Sequence, residues 1–521
     1  MKRFNVTGTC IDTEHYMADI SAKLDEIEKL VDNRRYFTIN RARQYGKTTT
    51  LYYLEKRLVE RGDYIVARIS FENIDVDVFE SAETFCRMFL NKISKALRFY
   101  DADYAKKWLD PNVTDLRTLD EHIANMCEDK KIVLMIDEVD KSSNNRLFLH
   151  FLGLLRDKFL MRQTGKDFTF HSVILAGVTD IKNLKLKMIN DGTHTPLKDE
   201  GKIINSPWNI AANFNVDMSF NTDEITAMLF EYENDNKTGM NITEVVNEIY
   251  KYTNGYPFLV SRICQCIDEE LNKNWTTDGV NQAVRIILTE KNTLFDDIVK
   301  NLENNLELQN FIYELFIEGK HKLFTYANLT TDLAITYGYI KRGDRGAVIS
   351  NRIFEAFIAE YFMSKREYNG KRDPGVIYQD VIKNGKFDMA YCLIKFAEHY
   401  KEIYTDKEEY FFERHGRLLF MSYLTPLLNG QGFIHIESQL TDQRRMDLVV
   451  DFKKEQFIIE LKLWRGDAAK ENAYEQLLGY MNTKNANEGY LLTFDFRKNK
   501  RGEYNARWVD VGGKRVFDVV V

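Results

Sequence analysis

The order of apolar runs in the first 220 residues restricts the possible folds of this chain more than any other feature. Helical patterns, among them an amphipathic one at residues 76–99, separate these runs. The runs rich in β-branched and aromatic residues lie at 36–40, 64–71, 132–136 and 172–176. The last two, IVLMI and SVILA, are apolar throughout, as expected of strands buried on both faces. Strands that alternate with helices predict crossovers, so we expect an α/β domain built on a parallel sheet.

The pattern changes three times after this region. Apolar residues recur at helical spacing from Thr222 to Glu290, further helical runs follow from Leu306, and SKREYNGKRDPG is predicted to be a linker. From Tyr410 the chain predicts one helix, three strands, a helix and further strands. The predicted divisions are an α/β domain at 1–220, a helical lid at 221–300, a winged-helix-like region at 301–363, a linker with helices at 364–404 and a second α/β domain at 405–521.

Composition excludes several classes of protein. The 521 residues include 72 Lys and Arg against 79 Asp and Glu, a net charge of −7 that excludes a wholly basic nucleic-acid coat but not a local basic groove. No apolar run approaches the roughly 20 residues of a membrane span, so no membrane partner is expected. Four of the six cysteines are widely scattered, and Cys264 and Cys266 form a C-x-C pair in an apolar helical stretch, a pattern that favours reduced thiols. The segment MKRFNVTGTC lacks the apolar core of a signal peptide. We therefore expect a soluble, multidomain protein of the cytoplasm.

A candidate phosphate-binding loop follows the first predicted strand. The segment NRARQYGKT ends in Gly46, Lys47 and Thr48, the second half of the Walker A pattern G-x-x-x-x-G-K-[ST]. Backbone N–H groups at a helix N-terminus attract phosphate oxygens, Lys47 would reach the β- and γ-phosphates, and Thr48 would hold Mg²⁺. Arg41 occupies the position of the first glycine, which normally eases the turn out of the strand.

The apolar run at residues 132–136 ends in two acids, the pattern of a Walker B strand. A carboxylate at the end of a buried strand is costly unless it meets a cation or strong donors. Asp137 is therefore placed to hold Mg²⁺ with its water shell, and Glu138 to polarise the attacking water. One predicted strand lies between the loop and this strand, an order that suggests the additional-strand class of NTPases. The alternative is a strand that merely ends in solvated acids.

Four weaker candidates complete the nucleotide site. Thr179 follows the run SVILAG, where NTPases of this class place a polar residue that senses the γ-phosphate. Arg262 lies in the helical region, where a lid could offer a cation. Arg41 and Arg43 could contact phosphate or only shape the loop. A structural or surface role is equally compatible with each, and no arginine finger can be nominated.

A second group of acids lies near the C-terminus. Asp447 begins the predicted strand MDLVVD, and Glu460 and Lys462 are two residues apart in FIIELK, hence on one strand face. The residues between the two acids leave room for a hairpin that sets them side by side. Phosphodiester hydrolysis needs carboxylates that hold one or two Mg²⁺ ions, and it benefits from a neighbouring lysine. On the helix that follows, Gln476 and Tyr480 share a face.

These residues resemble the PD-(D/E)XK nuclease superfamily, through the pattern D-x₁₂-E-x-K followed by a helix that carries Gln476. The resemblance implies Asp447 and Glu460 as metal ligands and Lys462 as the catalytic cation. It also implies Glu413, in YFFERHGRLLF, as a further ligand of metal or water, while Gln476 would support the site or contact substrate. Mn²⁺ is an alternative to Mg²⁺ at this site. The competing interpretation is a sheet edge with alternating solvated charges.

The chain as a whole resembles bacterial AAA-ATPase-like proteins fused to a PD-(D/E)XK nuclease. The resemblance rests on the loop R-x-R-x-[YF]-G-K-[ST], the D-E strand, the segment NSPWNIA, the helical lid and the C-terminal D…E-x-K pattern. It implies an ATP-binding module, expected to be an ATPase, coupled to a Mg²⁺-dependent nuclease that acts on nucleic acid, with DNA the expected substrate. Runs such as KLWRG and FDFRKNKRG could contact a nucleic-acid backbone or be ordinary solvated faces.

Two other functions are compatible with the sequence. One is an ATP-dependent switch or scaffold whose C-terminal domain binds nucleic acid or a partner without cleavage. The other is a nuclease with an inactive ATPase. The sequence does not indicate the oligomeric state, so a homo-oligomer is allowed, and it indicates neither the cleavage polarity nor the biological pathway.

Overall fold

The computed structural model describes residues 2–142, 145–178, 208, 210–317, 320–344, 346–365, 381–383, 385–403, 413–428, 432–435, 448–453, 455–464, 467–495 and 505–521. The chain divides into two compact units. The first unit comprises Met1–Tyr250, Asn254–Trp275 and Thr336–Gly338, and the second comprises Lys251–Thr253, Thr276–Ile335 and Tyr339–Val521.

The first unit is built on a parallel four-stranded sheet, as the alternating pattern predicts. Its strands are β1 (Tyr36–Asn40), β2 (Ile65–Ser70), β3 (Ile132–Asp137) and β4 (Ser172–Gly177). The order across the sheet is β1-β4-β3-β2, with every neighbouring pair parallel. The strand that carries the two acids, β3, is therefore separated from the loop strand β1 by the inserted strand β4.

Helices cover both faces of this sheet. Among the described residues, the helices up to residue 275 are α1 (Ser21–Asp32), α2 (Lys47–Arg61), α3 (Ala82–Leu97), α4 (Ala102–Lys107), α5 (Leu116–Cys127), α6 (Arg146–Gln163), α7 (Thr222–Asn236), α8 (Ile242–Thr253) and α9 (Pro257–Glu269). Alternate β3 residues enter opposite cores: Leu134 packs with residues of α3, α5 and α6, and Val133 with residues of α1 and α2. All of β3 and β4 is buried, as their unbroken apolar runs predict.

The single helix predicted for residues 76–99 is wrong. A 3₁₀ turn at Val76–Phe79 precedes α3, which begins only at Ala82. The physical reason is a cap, because the Ser81 side chain accepts a hydrogen bond from the Thr84 N–H at 3.4 Å and so starts a new helix.

Helices and two short hairpins make up the first part of the second unit. In its described ranges, the helices up to residue 403 are α10 (Thr277–Thr289), α11 (Thr293–Asn304), α12 (Leu306–Phe316), α13 (Leu329–Thr336), α14 (Arg352–Ser364) and α15 (Met389–Ile403). The hairpins are β5 (Ile340–Arg342) with β6 (Ala347–Ile349), and β7 (Ile382–Lys383) with β8 (Lys386–Phe387). The winged-helix-like assignment of residues 301–363 and the other domain limits stay predictions.

A six-stranded mixed sheet forms the C-terminal part of this unit. The elements are α16 (Glu413–Leu428), β9 (Gly432–His435), β10 (Leu448–Phe452), β11 (Glu455–Leu463), α17 (Asp467–Thr483), β12 (Glu488–Phe494), β13 (Asn505–Val511) and β14 (Lys514–Val520). This sequence of elements confirms the pattern predicted from Tyr410 onward. The order across the sheet is β13-β14-β12-β11-β10-β9, in which β11, β12 and β14 are parallel.

Helices also pack on both faces of the C-terminal sheet. Leu477 and Met481 of α17 form one core with Ile458 and Leu491 of the strands. Aromatic rings of α15, Phe396 among them, meet Phe494 of β12 on the other face. Within the described ranges, no helix has both the length and the apolar character that crossing a bilayer requires.

Candidate functional site

The predicted phosphate loop connects β1 to α2. Gly46 precedes the helix with a φ of +76°, a left-handed conformation that favours glycine. Lys47 is the first helical residue and is buried, and its Nζ donates to the carbonyl oxygens of Arg41, at 3.0 Å, and Ala42, at 2.9 Å. Burial lowers the pKa of Lys47, and the nearby carboxylates oppose that shift. The backbone of the loop therefore surrounds the ammonium of Lys47, the residue at the start of the helix.

Thr48 and Asp137 meet at the carboxyl end of the parallel sheet. The Thr48 hydroxyl donates to Asp137 Oδ2 at 2.8 Å, and Asp137 Oδ1 accepts from the Glu138 N–H at 3.0 Å. Asp137 is only 4 % exposed. A hydroxyl and a carboxylate are hard oxygen ligands of the kind that Mg²⁺ prefers, so these residues fit the predicted metal. The structure brings together two predicted ligands that lie far apart in the sequence.

Glu138 has an unusual backbone conformation directly after β3. Its φ is +56°, in the left-handed region that non-glycine residues rarely adopt. Burial raises the pKa of its carboxyl group, Lys47 opposes this, and the charges of Asp137 and Asp140 add to it. Backbone strain of this kind concentrates at functional sites, where the surrounding structure holds the residue in place.

Asp140 is a residue that the sequence reasoning missed. Its Oδ2 accepts a hydrogen bond from the Val178 N–H at 2.6 Å. A Cβ atom on Gly177 would lie only 2.8 Å from Asp140 Oδ1, so the end of β4 passes directly against this carboxylate. The signal was the third acid in the run IDEVD, but its partner became visible only once β3 and β4 were known to be neighbours.

Arg41, predicted to contact phosphate or shape the loop, is held by backbone carbonyls. Its guanidinium donates to the carbonyl oxygens of Asn40, at 2.8 Å, and Val216, at 2.7 Å. It also lies over the Phe214 ring, 5.3 Å from the centroid. These contacts tie the loop to the segment near residue 216, which supports the loop-shaping interpretation.

The other predicted nucleotide contacts are placed differently. Arg43 lines the cavity described below, and its carbonyl oxygen accepts from the Tyr256 hydroxyl at 2.6 Å. Arg262 forms a 2.8 Å ion pair with Glu270 and is not among the described residues that line that cavity. Thr179 lies outside the described residues. Contacts between these residues and a nucleotide therefore stay predictions.

A cavity of about 590 Å³ lies beside the phosphate loop within the first unit. Lys47, Thr48 and Glu138 line its polar part, and Ile27 and Phe258 belong to its apolar wall. The N-terminal segment contributes residues 5–6, 8–10 and 16–18, which sequence reasoning missed because this segment carries no motif. A polar end next to an apolar wall suits a ligand with a charged and an aromatic part.

Gly338 supports the loop from outside the cavity. Its φ is +71°, and a Cβ atom there would lie 3.1 Å from the Ala42 side chain. The Tyr45 and Tyr256 rings meet edge to face nearby, with 4.7 Å between their centroids. The left-handed φ favours glycine here, and Ala42 leaves little room for a side chain. No pattern in the sequence indicates this position.

The second predicted site centres on Glu460 in β11. This carboxylate is fully buried, and Lys462 Nζ lies 2.8 Å from its Oε1. Asp447 lies outside the described residues. Leu448, which follows it in the sequence, pairs with Ile459, the residue before Glu460. A buried carboxylate beside a lysine fits a site that holds a divalent metal ion.

The helical residues predicted for this site differ in burial. Tyr480 is buried in the core between α17 and the sheet, whereas Gln476 on the same helix is half-buried. Glu413 begins α16, but its side chain lies outside the described part of the chain. One turn later, a Cβ atom on Gly416 would lie 2.3 Å from the Phe494 ring, so this end of α16 packs closely on β12.

Two family models match the chain. The AAA-like domain model matches residues 7–358, which is more than half of the sequence. The model of the PD-(D/E)XK nuclease superfamily matches residues 433–505, a range that contains Asp447, Glu460, Lys462 and Gln476.

A curated relative and several solved structures are also similar. An uncharacterised WD repeat-containing protein of Synechocystis is 25 % identical over 184 residues, which are 35 % of this chain and only 14 % of that protein. A Walker-type ATPase of Pyrococcus abyssi shares 12 % identity at a TM-score of 0.46, covering 68 % of this chain and 99 % of that one. Cdc6p of Pyrobaculum aerophilum shares 14 % identity at a TM-score of 0.32, covering 70 % and 97 %. Likenesses this distant say nothing about activity.

Proposed function

The chain belongs to the AAA-like domain family, and on that basis we propose that its first unit binds ATP with Mg²⁺ and hydrolyses it. The observation that carries this proposal is the 2.8 Å hydrogen bond from the Thr48 hydroxyl to Asp137. It joins the start of α2 to the end of β3 beside a buried lysine, which is the arrangement that a metal-bound triphosphate requires.

Each residue of this site has a separate role in the proposal. Lys47 and the N–H groups at the start of α2 bind the phosphates, because the helix N-terminus carries partial positive charge. Thr48 and Asp137 would hold Mg²⁺, which neutralises charge on the phosphate oxygens when bound. Glu138 orients the attacking water and accepts its proton.

We also propose that the C-terminal sheet is a metal-dependent nuclease domain. The match to the PD-(D/E)XK superfamily and the buried Glu460–Lys462 pair support it. In this proposal Asp447 and Glu460 would hold the metal, with Glu413 as a further ligand, and Lys462 stabilises charge on the phosphate that is attacked. Gln476 supports the site from α17. DNA is the proposed substrate, and ATP binding in the first unit controls cleavage in the second.

One experiment tests both activities on the same protein. Purified full-length chain is incubated with DNA or RNA and Mg²⁺ or Mn²⁺, with and without ATP, and phosphate release and strand cleavage are measured together. We expect Lys47→Ala to abolish nucleotide binding and the ATP effect on cleavage. We expect Glu460→Ala to abolish cleavage while ATP is still hydrolysed.

The alternative function is a nucleotide-driven switch or scaffold that binds nucleic acid or a partner without cutting it. The half-buried Lys462, which neutralises Glu460 without any metal, is compatible with this alternative. In that case the wild-type protein releases phosphate from ATP but leaves every nucleic acid intact with either metal ion.

A further inference from the structure

A row of residues extends from Glu460 across the C-terminal sheet. Glu460 of β11 pairs with Leu491 of β12, Leu491 pairs with Asp518 of β14, and Asp518 pairs with Arg507 of β13. Residues paired across neighbouring strands point to the same face of a sheet. With strands about 4.8 Å apart, Asp518 lies about 10 Å and Arg507 about 14 Å along the row from Glu460.

Asp518 is a buried charge that the proposed nuclease chemistry does not use. It is only 2 % exposed, and its Oδ2 meets Lys470 Nζ at 2.6 Å and accepts from the Tyr474 hydroxyl at 2.7 Å. Within the part of the chain that the structure describes, its Oδ1 has no hydrogen-bond partner. A buried carboxylate is costly to retain, so a role beyond packing is expected of it.

The contacts around Asp518 fix the position of Lys470. The ammonium lies 5.8 Å from the centroids of both the Trp464 and the Tyr474 rings, in addition to its ion pair. These contacts reduce the entropy that a free lysine would lose on binding an anion. Its side chain is still 19 % exposed, and an ammonium has N–H donors beyond the one that faces Asp518.

Arg507 adds a second cation at the same place. It is exposed on β13, directly across from Asp518. Burial and the Asp518 charge raise the pKa of the Tyr474 hydroxyl, and the charge of Arg507 opposes that rise. The two cations outweigh the single carboxylate between them, so the cluster carries a net positive charge. Trp464 directly follows the end of β11, and its ring adds an aromatic surface beside Lys470.

We propose that Lys470 and Arg507, with Asp518 positioning Lys470, form a subsite for the phosphates of a polynucleotide that flank the one attacked at Glu460. This proposal rests on the proposed nuclease function. Leu491 and Asp518 are buried, so a strand bound at Glu460 would reach the exposed parts of Lys470, in the first turn of α17, and of Arg507 at the surface. Because every nucleotide carries a phosphate, such a strand presents further phosphates to these two cations. Single cations that neutralise phosphates contribute affinity without base specificity.

The test is the salt dependence of binding by the full-length protein. Anisotropy of a labelled oligonucleotide is measured in metal-free buffer, where cleavage does not proceed, over a series of KCl concentrations. Each neutralised phosphate contributes about 0.7 to the slope of log K against log salt for a single strand and about 0.9 for a duplex. We expect Lys470→Met and Arg507→Met each to lower the slope by about that amount, and the double variant by about twice as much.

Arg515 provides the matched control. It lies on the same hairpin as Arg507 but on the opposite face, three residues before Asp518, where it pairs with Glu488 at 3.1 Å. Arg515→Met should leave the slope unchanged, and Lys470→Arg should keep the wild-type slope.

If Lys470→Met fails to fold, the Arg507→Met variant still tests the proposal, because Arg507 is exposed. If the protein cleaves DNA but both Met variants keep the wild-type salt dependence of binding, the subsite proposal is overturned and the nuclease proposal stands. If the wild-type protein binds no oligonucleotide, both proposals are overturned.

Discussion

The two candidate metal sites stabilise their buried acids in different ways. In the first unit, Asp137 receives hydrogen bonds from the neutral Thr48 hydroxyl and a backbone N–H. In the second unit, Glu460 lies against the ammonium of Lys462. The first arrangement keeps its negative charge for a cation that arrives with the nucleotide, while the second already contains a cation.

This difference suggests how each site responds to its ligand. At the first site, Thr48 and Asp137 already lie together, so they would hold a metal ion with little rearrangement. At the second site, Glu460 would have to exchange its ion pair with Lys462 for a metal ion, and the Lys462 ammonium would then be available to a phosphate. We therefore expect the first site to take up its ion together with the nucleotide, and the second site to bind an ion in competition with Lys462 and independently of the nucleotide.

The largest expected effect is that of Glu460→Gln. This variant keeps the shape of the side chain but removes the charge that would hold the metal, so cleavage should fall by about 1,000-fold or more. ATP hydrolysis should stay at the wild-type rate, as measured by phosphate release. Cleavage at the wild-type rate in this variant means that Glu460 holds no catalytic metal.

Glu138→Gln tests the first site in the same way that Glu460→Gln tests the second. The amide cannot accept a proton, so turnover of ATP should fall by about 100- to 10,000-fold while nucleotide binding is retained. Binding of a fluorescent ATP analogue and single-turnover hydrolysis separate these two effects. Loss of binding together with turnover instead assigns Glu138 a structural role.

A smaller effect is expected at Thr48. Thr48→Ala removes one oxygen ligand and the hydrogen bond to Asp137, which should weaken Mg²⁺-ATP binding by about 10- to 100-fold. Thr48→Ser keeps the hydroxyl and is the matched control, with affinity close to that of the wild type. Equal affinities in the two variants count against a metal contact at this position.

The smallest effect concerns stability at the end of β4. Gly177→Ala places a methyl group against the Asp140 carboxylate and should lower the free energy of unfolding by about 1–3 kcal/mol. Gly153→Ala is the control, since Gly153 lies in α6 with no atom within 4 Å of an added Cβ, and there alanine should add up to about 1 kcal/mol. Denaturant unfolding of both variants gives the comparison. If Gly177→Ala unfolds with the same free energy as the wild type, the Asp140 side chain can move away from the added methyl group at no measurable cost.

The local parts of both sites could be predicted from the sequence. Gly46, Lys47 and Thr48 are adjacent, and the strand that ends in Asp137 is apolar throughout, so strand, loop and helix follow from short-range patterns. Glu460 and Lys462 are likewise predicted to share a strand face, because side chains two residues apart in a strand point to the same side.

Contacts between distant elements could not be predicted. The hydrogen bond between Asp140 and Val178 requires that β3 and β4 are neighbours, which chain order does not reveal. The row from Glu460 to Asp518 requires the strand order β11-β12-β14. The N-terminal segment lines part of the cavity, but no sequence motif marks it. Its residues line the cavity because of where the fold places them, and their residue types do not indicate this.

The most direct test of two separate metal sites is a titration with Mn²⁺ followed by electron paramagnetic resonance, with and without a non-hydrolysable ATP analogue. In the wild type we expect one class of bound ion that appears only with the nucleotide and another that binds without it. Asp137→Asn should remove the first class and Glu460→Gln the second, each leaving the other intact. Loss of both classes in either variant, or loss of neither, contradicts two independent sites.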